Sequence, residues 1–219
     1  MNKDNFKKLI DAILFDGQHR FNMACFVGKI NLSPEMYQEC IIENKDLVSL
    51  YDPYALPTIE TTEMFNCDSV GCIAGFATAL ANDWKTPQFM KAELQLNAQA
   101  IVKLFEEKAS EFLGLTIEQG KKLYYNGDDS IWKYLRYNES NRYPNLKYIG
   151  EDDYEADEIV EGYCNWDDGD YEIEFSSIDY KTAADVLTRI MNGEIVLGSE
   201  KGDIEVKNLS LVGEVNESV

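Results

Sequence analysis

Phe65-Asn-Cys-Asp-Ser-Val-Gly-Cys-Ile-Ala-Gly-Phe-Ala-Thr-Ala-Leu-Ala81 is the run that decides the fold. It is both small and apolar, holds two of the five cysteines, and has no charge after Asp68. Asp68 and Ser69 are N-cap residue types, whose short side-chain oxygens accept an orphan N–H of a first helical turn. From Val70 to Leu80 nearly every side chain is apolar or small, so a helix here has no polar face and belongs inside. It is too short to cross a bilayer, which takes about 20 residues. Gly71, Gly75 and Ala79 recur every four residues and give one side little bulk. The expectation is a buried central helix over about 69–82.

Its two cysteines admit two readings. Cys67 would stand just before the helix, where the positive end of the macrodipole lowers a thiol pKa. With His19, the only histidine, as general base, Cys67 would be the nucleophile of a hydrolase or transferase. The plainer reading makes Cys72 a small buried hydrophobe, Cys67 its buried neighbour, and His19 a polar residue in a turn. Metal binding by Cys25, Cys67 and Cys72 is a third possibility, with an unusual spacing and no evident fourth ligand. No metal and no cofactor is therefore expected. No phosphate-binding glycine loop is present either.

Working outward, 219 residues with 45% hydrophobic and 12% aromatic content suffice for one domain, 1–219, with a real core. The net charge of −20 argues against nucleic acid or an anionic membrane as a direct partner, since both demand lysine and arginine. The same charge favours basic protein surfaces. An odd cysteine count, a charged start without an apolar signal core, and no long apolar run lead us to expect a cytoplasmic protein with free thiols. The oligomeric state stays open.

Phe6, Leu9, Ile10, Ile13 and Leu14 predict an amphipathic helix over 5–15 that stops at Asp16-Gly17. Alternation of Phe21, Met23, Cys25 and Val27 predicts a strand over 20–30. Ser33-Pro34 starts a short helix, and 44–64 read as an irregular loop. A long helix over 88–113 ends at Gly114, and Thr116 with Gln119 has capping-box form for a helix over 117–125. Residues 131–137 add a short helix with Trp132 and Leu135 facing inward. Asp179 caps a helix over 180–192 that Gly193 stops, and two short strands follow on either side of 198–202. The fold class is α+β, mainly helical, with a small C-terminal antiparallel β element.

Between Tyr148 and Tyr180 there is no lysine or arginine, while thirteen of the forty acids fall there, interleaved with tyrosines and a tryptophan. A solvated acidic stretch is the plain reading. The functional reading is a docking surface for a basic partner, with aromatics as anchors. Its candidate residues are Asp152, Asp153, Tyr154, Glu155, Asp157 and Glu158, then Trp166, Asp167, Asp168, Asp170 and Tyr171. Trp166-Asp-Asp-Gly-Asp170 lacks the ligand spacing of a calcium loop. Tyr171 to Phe175 alternates like a strand.

Several pieces together resemble a group of small uncharacterised proteins of bacteriophages and bacteria. These are Phe21-Asn-Met23 with Phe26-Val27, Cys67-Asp-Ser-Val-Gly-Cys72-Ile-Ala-Gly75-Phe76-Ala77, and Leu113-Gly-Leu-Thr116 with Gln119 and Leu123. That group carries a Cys-Gly-Thr-x-x-Cys-Ile-Ala-Gly-Trp-Ala-like core and a late helix like Ala183 to Ile190. Here Asp68-Ser69 replace Gly-Thr, and phenylalanines replace tryptophans. The resemblance implies a phage-like setting in a host cytoplasm and no particular chemistry. It makes a basic host protein, such as a nucleic-acid-binding or defence protein, the expected partner.

Overall fold

The computed structural model describes residues 1–23, 28–29, 69–85, 98–148, 172–200 and 203–207. It opens with α1, Lys3–Arg20, capped by the Asn2 side chain, which accepts from the Asn5 N–H. Phe6, Leu9, Ile10 and Ile13 are buried as the periodicity requires, whereas Leu14 is half exposed. The helix does not stop at Gly17. A Cβ on Gly17 would lie 2.7 Å from the Cβ of Tyr180, so this glycine permits close approach of the late helix. His19 consequently lies in the last turn of α1 rather than in a turn between elements.

The predicted strand over 20–30 is present in two pieces. Phe21 bridges Gly71 in parallel, and β1, Gly28–Lys29, pairs antiparallel with β2, Ser69–Val70. That pairing moves the start of the central helix. Ser69 and Val70 are used as strand, Gly71 exchanges backbone bonds with Arg20 and Asn22, and α2 runs only over Ile73–Ala81. Cys72 is its N-cap residue and makes no side-chain capping bond.

The expectation that this helix is the buried centre holds. Ile73, Ala74, Phe76, Ala77, Thr78 and Ala79 are fully covered. Both α1 and α3, Ala98–Leu113, pack on α2. Phe76 meets Phe21 at 6.4 Å between ring centroids and Trp84 edge-on at 6.3 Å. Asp83 and Trp84 adopt positive φ, 51° and 62°, an unfavourable backbone for a bulky residue. The Trp84 N–H bonded to the Ala79 carbonyl and the ring packed on Phe76 hold it there.

Gly114 ends α3 at φ 64°, where a side chain would strike the Asn2 backbone. α4, Ile117–Tyr124, starts with the expected capping box, in which Thr116 Oγ1 accepts from the Gln119 N–H and Gln119 Oε1 accepts from the Thr116 N–H. Ser130 caps α5, Ile131–Asn138, and buries Trp132, whose indole N–H donates to the Leu123 carbonyl. The predicted strand over 171–175 reduces to one antiparallel bridge, Ile173 with Tyr148. After it the Glu174 carbonyl accepts from the Ser177 N–H and hydroxyl, which turns the chain into a 3-10 turn over Phe175–Ser177.

α6, Tyr180–Asn192, lies between the Asp179 cap and Gly193 at φ 77°, and packs along α1. The hairpin of β3, Ile195–Leu197, with β4, Ile204–Val206, closes the fold. This is a mainly helical α+β architecture around a buried helix, with the small antiparallel element at its C-terminal end. Among the described residues no helix is long and apolar enough to cross a membrane. The expected helix after Ser33 and the loop over 44–64 lie outside the described residues.

Candidate functional site

The acidic segment leaves the body at Tyr148 and returns at Ile173. These two residues bridge, so the segment's ends are held side by side. The clamp is built from buried polar groups. Asn126 Nδ2 donates to the Ile173 carbonyl at 2.7 Å, and the Asn126 carbonyl accepts from the Ile173 N–H at 3.2 Å. The Lys147 carbonyl accepts from the Glu174 N–H, and the Lys147 N–H donates to Ser177 Oγ. Asn126 is 8% exposed and Ile173 is fully covered, so these bonds are shielded from water.

A groove lies beside this clamp. One cavity of about 320 Å³ opens between α4, the turn over 127–130 and the hairpin, with Tyr125, Asp129 and Glu200 on its walls. A second, of about 190 Å³, shares Asp128, Asp129 and Ser130 with the first and extends past Tyr134 and Tyr137 to Tyr148. Tyr137 is 81% exposed, far more than other aromatics near the groove. The cations on the groove walls have local partners. Lys121 pairs with Glu118 at 3.3 Å, Lys133 pairs with Asp128, and Lys122 turns away. Its buried ammonium donates to the carbonyls of Gly198 (3.0 Å), Glu200 and Asp203 (3.1 Å), which pins the hairpin loop to α4.

Two further polar clusters are structural. Arg189 makes two bonds to the Glu139 carboxylate, at 2.7 and 2.9 Å, and one to the Tyr143 hydroxyl. Burial opposes its charge, but the Glu139 and Tyr143 bonds outweigh that and hold the guanidinium protonated above its usual range. Burial also raises Tyr143, to about 12, with its bond to Asp185 adding to the shift. Deeper in, burial pushes the Cys72 thiol up to about 11, against backbone N–H groups of its own helix start that favour the thiolate. Tyr124 and Tyr125 are raised as well, first by burial, with Tyr125 donating to Glu106. A thiol this well covered is protonated at neutral pH and suited to packing rather than attack.

Of the residues singled out by sequence, Cys72 is the free, buried thiol expected of it. Cys25, Cys67 and all the docking candidates from Asp152 to Tyr171 lie outside the described residues. Only the backbone of His19 is described. The structure therefore brings no catalytic pair together. Among the described residues no cluster of His, Cys, Asp or Glu has the makings of a metal site.

Sequence reasoning missed the clamp and the groove. The signal for the groove was present in α5, where Trp132, Tyr134 and Tyr137 fall within eight residues. One face of so short a helix buries Trp132 with Ile131 and Leu135, so a further aromatic is left on the surface. No family model, no curated protein and no solved structure matches this chain.

Proposed function

We propose that this chain is a non-catalytic, phage-type accessory protein of the host cytoplasm that binds a basic protein surface through its acidic segment. The partner class is a host nucleic-acid-binding or defence protein, whose own anion-binding face carries the required arginines and lysines. The observation that carries this reading is the clamp. It gathers both ends of a lysine- and arginine-free stretch onto one buried bridge and so presents that stretch from a single place on a helical body. A net charge of −20 gives long-range attraction to any basic surface. The protonated, covered Cys72 speaks for a core that only holds shape.

The test is capture from bacterial lysate with the wild-type chain and with a variant whose acids between Asp152 and Asp170 are changed to Asn and Gln. Basic proteins retained by the wild type at low salt, released at high salt and missed by the variant support the reading. Equal capture by both chains contradicts it.

A further inference from the structure

The groove beside the clamp has a chemistry of its own. Its walls combine carboxylates with phenol rings: Asp129 at the middle, Glu200 at the hairpin end, Tyr125 in the first cavity, Tyr134 and Tyr137 in the second. Carboxylates fork onto a guanidinium, and aromatic faces attract it. Its lysines are committed to Glu118, to Asp128 and to the hairpin carbonyls, so they compete little for such a guest. Tyr148 lines the far end of the groove and is also the root of the acidic segment. A partner drawn to that segment therefore arrives directly over the groove. Tyr137 offers the exposed ring that anchors at interfaces require.

We propose that this groove is the specificity element of the docking surface and receives an arginine side chain of the basic partner, in preference to lysine. The inference rests on the proposed function, with a division of labour. The segment supplies sign-dependent attraction that any cation satisfies, and the groove reads the planar, stacking, bidentate guanidinium that an ammonium cannot imitate.

The experiment titrates the full chain with a short arginine–glycine peptide and with its lysine–glycine counterpart of equal length and charge. The wild type is expected to favour the arginine peptide several-fold. Tyr137→Ala and Glu200→Gln, both at exposed positions that the fold does not need, each lower affinity for the arginine peptide about two- to fivefold. The lysine peptide is unaffected by Tyr137→Ala and is weakened at most slightly by the lost charge at Glu200. Equal affinity of the wild type for both peptides, with no effect of Tyr137→Ala, overturns the groove while leaving the acidic segment as the binding element. Binding of neither peptide at low salt overturns both.

Discussion

The surroundings of α2 and the clamp below the acidic segment are both buried, but they are held in opposite ways. Around α2 almost nothing polar directs the packing. Phe76, Ala77 and Ala79 are covered on every side, and the Cys72 thiol is neutral. Position there is set by shape, and shape is fixed by close packing of small side chains. At the clamp, position is set by directional bonds from Asn126, Lys147 and Ser177 to the strand end at Ile173–Glu174. Apolar packing gives the molecule its stability, and hydrogen bonds decide where the charged segment leaves it. Damage to the first should unfold the chain, while damage to the second should leave a folded chain that presents its segment badly.

The largest effect expected is Phe76→Ala, which leaves a cavity between Phe21 and Trp84 and costs about 3–5 kcal/mol in chemical denaturation. A loss below about 1 kcal/mol would mean that α2 is not the centre of the core. Next is Arg189→Met, at about 3 kcal/mol, because Glu139 is left partly buried without its cation. The double change Arg189→Met with Glu139→Leu should recover much of that loss, and no recovery would contradict the pairing.

Cys72 gives an alkaline signature. Its folded pKa is raised from 9.0 to about 11 by burial, so the protonated thiol favours the folded chain. That contribution is complete below pH 9 and is lost as pH rises through about 11. Cys72→Ala should remove this component from the stability profile between those values. In the native wild type, Cys72 should react with thiol reagents only on unfolding, and fast reaction at neutral pH would restore the case for a nucleophile.

The smallest effect is at the clamp. Asn126→Ala removes the bond to the Ile173 carbonyl and should cost about 1–2 kcal/mol, seen as faster amide exchange at Ile173 and Glu174 while α2 stays protected. Equal acceleration in both regions would erase the distinction drawn between them.

What was legible in the sequence follows the same division. Local signals were read well. Asp179 and Gly193 mark the two ends of α6, and Thr116 with Gln119 opens α4, because caps act within a single turn. Non-local signals were misread. Gly17 looks like a stop, yet it exists to admit Tyr180 from the other end of the chain. Ser69 looks like a cap, yet β1 takes it into a strand. The charge of the acidic segment is visible in one dimension, but the pairing of Tyr148 with Ile173 joins distant residues and follows from no local pattern. The groove is hidden for the same reason, since its walls come from α4, α5 and the hairpin together.

The account turns on whether the acids between Tyr148 and Ile173 are what a partner meets. The direct measurement is the affinity of the full chain for an arginine–glycine peptide across a range of salt, for the wild type and for the Asp152–Asp170 neutralised variant. Binding by the wild type should weaken steeply with salt, and the variant should bind more weakly at low salt with a clearly flatter dependence. Identical affinities and slopes for the two chains would contradict it.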